Sequence, residues 1–339
     1  MTRGHLIRCV GAGALLVAGC AHTTTTREPR PLVKTEVAST PAAVSPAPPS
    51  RVLRIVRPKG EAPSPVFSVQ VDGARVYFND GTGRLWSAPK DGSATATRLV
   101  DDPHDSVRSF VVDGDTIYYA AREAIRSVPT SGGPVTRWAD NRSGPILVVS
   151  DRQYIYHTVF DGSATYRVSL TTRREERFCA GGKHQTLAVD EANLYIASYF
   201  SGTITATSKK TRRAHVLVAG VRRPVRLTID DGYVYFTSEA DGSVRRIAKT
   251  GGHAEVLARG QRGQEHLALD GRYVYWATRT APGTFAVMRA PLSASPSGAP
   301  EALYTGLRSV GGIAVDDRYV YVADRGAGEI VRISKEPTR

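Results

Sequence analysis

Residues 225–258 read VRLTIDDGYVYFTSEADGSVRRIAKTGGHAEVLA. Four short runs of β-branched and aromatic residues are divided by three turn signals, Asp230-Asp231-Gly232, Asp241-Gly242 and Gly251-Gly252. Such punctuation predicts four consecutive strands: Val225–Ile229 (A), Tyr233–Thr237 (B), Val244–Ala248 (C) and Ala254–Ala258 (D). Strand B is apolar on both faces through Val234, Tyr235 and Phe236. A half-exposed strand alternates apolar and polar residues, so this one needs cover on both sides.

The unit recurs. An aliphatic–Asp, three residues, then an aliphatic–Tyr appears at Asp72/Tyr77, Asp113/Tyr118, Asp190/Tyr195, Asp230/Tyr235, Asp270/Tyr275 and Asp316/Tyr321, and at Asp151/Tyr156 with Ser150 in place of the aliphatic. Successive tyrosines are 41, 38, 39, 40, 40 and 46 residues apart. Four strands in about forty residues is the size of a propeller blade, whose neighbours cover both faces of its sheet. The expected fold is all-β: a seven-bladed β-propeller of four-stranded antiparallel blades. The blades fall near residues 65–100, 106–140, 144–180, 184–220, 224–260, 264–306 and 309–337 of a body spanning 51–339. The seventh unit has strands A (Gly312–Val315), B (Tyr319–Ala323) and C (Ile330–Ser334) but ends without D. An unassigned apolar segment, residues 51–56, precedes blade one. It is expected to complete the last blade and so remove two exposed sheet edges.

The stretches Tyr275-Trp276-Ala277-Thr278 and Tyr235-Phe236-Thr237-Ser238, the latter followed by Val244 to Gly252, resemble the YWTD repeat of low-density-lipoprotein-receptor propellers. The style is also similar to bacterial NHL and TolB-like propellers. The resemblance covers about residues 65–337 and implies the architecture, without a ligand. That family usually has six blades, and its motif Asp is kept only at Asp80 and Asp324.

Residues 1–8 carry Arg3 and Arg8 and no acid, and residues 9–19 are a short run of apolar and small residues. That is the layout of a secretory signal, too short to span a bilayer. Leu16-Val17-Ala18-Gly19-Cys20 resembles the lipobox of bacterial lipoproteins. The resemblance implies cleavage after Gly19 and lipidation of Cys20, hence a membrane partner and an exported location. Ala21, rather than Asp, follows the Cys, which by the enteric sorting rule favours the outer membrane or cell surface. Residues 20–50 hold six Pro, six Thr and five Ala and no aromatic residue. This composition reads as a disordered tether that reaches roughly 90 Å at ~3.1 Å per residue.

Hydrophobic residues make up 41% and charged residues 23% of the 339, enough for a core. Three widely spaced Cys exclude a disulfide scaffold and a Cys-rich metal site. Cys179 reads as a small hydrophobe in an outer strand. No G-x-S-x-G or H-E-x-x-H occurs, and no cofactor or metal is expected. In such a ring the D–A loops and B–C turns share one face, where propeller sites gather around the channel. The polar residues at the strand-A starts are Arg108, His184, Gln185, Arg226, Glu265 and His266, candidates for a channel-mouth binding site. On the opposite face Arg173, Arg174, Lys209, Lys210, Arg212 and Arg213 are candidates for contact with anionic lipid headgroups or polymer. Nucleic acid is excluded by export and by the lack of aromatics among the basic residues. A monomeric binding or scaffold module for an envelope protein or anionic cell-envelope polymer is the first expectation. A lyase- or lactonase-like enzyme at the channel mouth is the second.

Overall fold

A computed structural model describes residues 52–55, 64–101, 106–140, 144–162, 164–180, 185–263, 265–293 and 299–336. The expected signal, Cys20 and the tether lie outside the described residues. Within them, 28 strands form seven four-stranded antiparallel sheets arranged as the blades of a propeller. Blade 5 holds Pro224–Ile229, Tyr233–Ser238, Ser243–Ala248 and Glu255–Ala258, within two residues of the expected bounds. First strands of successive blades touch around the channel, and Val66–Val71 meets Val310–Val315 to shut the ring.

The opening strand Val52–Ile55 is the fourth strand of the last blade. It runs antiparallel to Glu329–Ser334, with Leu53 opposite Arg332 and Arg54 opposite Val331. The strand it covers is apolar, and Ile330, Val331 and Ile333 are wholly buried. Deleting residues 51–56 is expected to lower the melting temperature by about 10 °C and to expose an edge that self-associates. An unchanged melting curve and elution volume would mean that the ring holds without this strand.

The core lies between blades. Tyr77, Tyr156, Tyr195, Tyr235, Tyr275 and Tyr321 are among its largest fully buried side chains. Each contributes roughly 4–6 kcal/mol of gross burial, before the entropy of ordering is subtracted. A buried phenol must also find a partner, and at Tyr77, Tyr195, Tyr235, Tyr275 and Tyr321 the repeat Asp supplies it. Tyr275 Oη donates to Asp270 Oδ2 at 2.6 Å, while Oδ1 accepts the turn amides of Arg272 and Tyr273 at 2.8 and 2.7 Å. The same arrangement recurs at Asp72, Asp190, Asp230 and Asp316.

A lysine in the C–D turn of the following blade completes four of these clusters. Lys90 reaches Asp316 at 2.5 Å, Lys209 reaches Asp151 at 2.5 Å, Lys249 reaches Asp190 at 2.7 Å and Lys335 reaches Asp270 at 2.5 Å. The seams between blades 7 and 1, 3 and 4, 4 and 5, and 6 and 7 are thus ion-paired. Elsewhere the lysine position holds Thr130, Leu170 or Leu292. At the 2–3 seam Ser150 Oγ donates to Asp113 at 2.6 Å, which explains the serine in the third copy of the repeat. Arginines stitch the outer layer. Arg246 stacks 4.4 Å from the Tyr233 ring, bonds Glu255 at 2.9 Å and donates to the carbonyl of Leu292 in the next blade.

Candidate functional site

The mouth face is built from D–A loops tied to B–C turns by backbone hydrogen bonds. Val221 N donates to Gly202 O at 2.9 Å, Gln261 N to Gly242 O at 2.8 Å, Arg279 N to Arg262 O at 2.7 Å and Arg325 N to Ser309 O at 2.7 Å. The motif Asp residues add to this frame. Asp80 accepts Trp86 Nε1 at 2.9 Å and the amides of Thr82 and Arg84, and Asp324 accepts amides from Ser309 and Ala327. They brace turns and do not face a ligand.

Strand A of blades 1, 3, 5, 6 and 7 slips its register at the mouth end. Such a bulge re-aims the residue it carries. Phe67 and His266 occupy two of these slips, and Arg226 stands in a third. His266 adopts a left-handed backbone, φ 62°, which is strained for a residue with a side chain. Burial first, and then the positive charges of Arg226 and Arg325, hold its imidazole well below the ordinary value. At neutral pH the ring is therefore neutral. Arg325 also lies 5.7 Å over the Phe67 ring. Phe67, Arg325, His266 and Arg226 thus form an arc drawn from blades 1, 7, 6 and 5. Two guanidiniums beside a neutral imidazole suit an anion that also exchanges a hydrogen bond.

Arg108 turns the other way, towards blade 3, with its guanidinium 3.4 Å from the carbonyl of Pro145. Gln185 and Glu265 open strand A of blades 4 and 6, and His184 lies outside the described residues. Phe67 and Arg325 were not among the expected residues. Phe67 is apolar and Arg325 belongs to a B–C turn, so an alignment of polar strand-A starts passes over both.

Of the six basic residues on the opposite face, three make side-chain contacts within the chain, the exposed Arg173 among them. Lys209 holds the Asp151 seam. Arg173 lies 4.9 Å over the Trp138 ring. Arg212 bonds Glu176 at 2.7 Å and the carbonyl of Arg177 at 3.1 Å. Arg174, Lys210 and Arg213 are exposed.

The charge asymmetry favours the mouth. In blades 4–7 its loops, turns and strand-A starts (199–202, 219–226, 239–242, 259–263, 265, 279–283, 308–309 and 325–328) carry eight Arg against Glu239, Asp241 and Glu265. The opposite turns of the same blades (190–192, 208–213, 230–232, 248–253, 270–272, 316–318 and 335–336) carry eight Lys or Arg and eight Asp or Glu. At the rim, the turn 199–202 and the loop 220–223 enclose a groove of about 760 Å³.

No family model and no curated protein matches the sequence. Solved structures do match in shape. U3-55K is 11% identical with a TM-score of 0.68, over 86% of this chain and 100% of its own. YCF48 bound to D1 peptide is 11% identical with a TM-score of 0.64, over 87% of this chain and 99% of its own. PorZ, a bacterial surface component of the type-IX secretion system of Porphyromonas gingivalis, is 13% identical with a TM-score of 0.60, over 84% of this chain and 39% of its own. At such identities the likeness establishes the propeller and nothing finer.

Proposed function

We propose that the protein is an exported, lipid-anchored propeller that binds a protein or polymer of the cell envelope. The observation that carries this reading is the order of parts: a signal-like leader ending at Cys20, a Pro/Thr/Ala spacer, then a closed ring with a braced, basic mouth. A rigid frame presenting fixed loops suits recognition, because little conformational freedom is lost on binding. Support also comes from neighbours in shape. One is named a bacterial surface component, another an extracellular domain, and a third holds a bound peptide.

The anchor is tested by feeding cells an alkynyl fatty acid. Wild-type protein is expected to take up label and to fractionate with membranes, and Cys20→Ser to lose both. Unlabelled wild-type protein would remove the anchor from the proposal. Several acyl chains hold a protein firmly where one does not, since each buried CH₂ contributes about 0.8 kcal/mol.

A lyase or lactonase at the mouth is the second reading, favoured by the neutral His266 beside Arg226 and Arg325. Turnover of a uronate polymer or a lactone that disappears in His266→Gln would move the assignment to it.

A further inference from the structure

We propose that the groove between blades 4 and 5 docks an extended, acidic protein segment, with an apolar side chain against Phe200 and carboxylates on Arg222 and Arg223. The proposal rests on the reading of the protein as a binding module and names the partner class and the place.

Phe160 and Phe200 are the two most exposed large apolar side chains among the described residues, at 74% and 70%. They sit in the B–C turns of adjacent blades, on the mouth face. A lone exposed apolar side chain is ordinary, whereas an apolar patch rimmed by polar residues marks an interaction site. Phe200 meets Tyr199 edge-on, with ring centroids 5.1 Å apart. Arg223 lies 5.9 Å over the Tyr199 ring, and Glu239 engages the Tyr199 hydroxyl. Arg222 and Arg223 themselves are exposed. Aromatic and Arg side chains are the residues that dominate protein interfaces.

The groove is formed in advance. Its two walls are joined by the Val221–Gly202 hydrogen bond, and a Cβ at Gly202, φ 66°, would stand 2.5 Å from Val221 O. Only glycine lets the turn come so near the loop. Its surroundings select for negative charge. The arginine excess of the mouth is opposed by three acids, of which Asp241 is held by Arg245 and Glu239 by Tyr199. Such an uneven field draws anions to the rim.

An extended peptide brings both needed groups. Side chains two residues apart project from one side of it, at about 6.6 Å spacing.

The test uses the full chain in detergent micelles and a fluorescein-labelled octapeptide of repeating Glu-Ser-Leu-Ser, which presents Glu and Leu in turn on one side. Saturable binding is expected, falling about tenfold or more in Arg222→Ala/Arg223→Ala and in Phe200→Ser. Arg318→Ala, on the opposite face, should bind as wild type does, and a Lys/Leu peptide should not bind. Affinity retained in both groove variants would overturn the site. So would polygalacturonate displacing the peptide from the wild type at equal monomer concentration. Crosslinking in intact cells separates the two levels. A partner recovered equally by wild type and double variant keeps the binding module and removes the groove. A partner recovered by neither removes the module, and the peptide titration then still decides the groove.

Discussion

Asp270→Ala is expected to lower the stability of the propeller by about 3–5 kcal/mol, the cost typical of leaving a buried charge without its partner. The Lys335 side chain is only 3% exposed, and its ammonium is held by the Asp270 carboxylate and the carbonyl of Asp316. Removing the carboxylate also strands the Tyr275 hydroxyl and two turn amides. Asp230→Ala is the control. Asp230 makes the same amide and phenol bonds, at 2.9, 2.7 and 2.6 Å, but Leu292 stands where the lysine would be. Its loss should cost about 1–3 kcal/mol. Urea unfolding of the two variants at neutral pH measures the difference, and equal losses would deny the lysine any part in holding the seam.

Acid should reproduce part of this effect. Burial opposes ionisation of Asp270, but the bonds from Lys335, Tyr275 and the turn amides outweigh it and hold the carboxyl at about 2. A carboxyl depressed on folding stabilises fully above its unfolded pKa and loses that stabilisation as pH falls through the folded one. Wild-type stability should therefore decline between about pH 4 and pH 2, and Asp270→Ala should flatten that limb. At the alkaline end the sign reverses. Burial, with the Asp190 carboxylate adding to it, pushes Tyr195 up to about 12. The stabilisation is complete below the ordinary phenol value and is lost as pH climbs towards the raised one.

Gly311→Ala is the second large effect. A Cβ there would sit 2.3 Å from Val66 O and 2.8 Å from Phe67 O, both backbone atoms of the facing blade. A peptide plane in a sheet does not yield as a side chain does. The added methyl must therefore push blades 7 and 1 apart, at about 3 kcal/mol or more. Gly271→Ala places its methyl in open space and should change stability by less than about 0.5 kcal/mol. Thermal melts of the pair read the contrast, and a Gly311→Ala curve that overlays the Gly271→Ala curve would show the seam to be soft.

The fold was legible because the Asp and Tyr of each copy keep one spacing, and because a missing last strand and a spare first strand point to each other. In the structure these residues have an architectural role: Tyr fills the space between blades and Asp ties the turn. The lysine column was equally present in the sequence, eighteen or nineteen residues after Asp72, Asp190, Asp230 and Asp316. It passes unread because each lysine serves the Asp of the previous blade, a contact that exists only once the ring has formed. The mouth was half legible. Arg226 and His266 could be named from their place in the repeat, but the bulges that turn Phe67 and His266 depend on pairing offsets no periodicity reveals. The six basic residues expected on the opposite face do lie in C–D turns of blades 3 and 4, but the sequence does not reveal that Lys209 and Arg212 spend their charge on Asp151 and Glu176.

The opening strand has a consequence for the order of events in biosynthesis. Leu53 leaves the ribosome near the start of the body, and its partner Arg332 is made near the end. At about 5–20 residues per second, the first strand waits for tens of seconds with its apolar side chains unsatisfied. No intermediate length of nascent chain can form the finished ring. Under the export proposed above, a chain crossing a membrane unfolded would gain from this delay, because the lock and its key are never present together until translation is nearly complete.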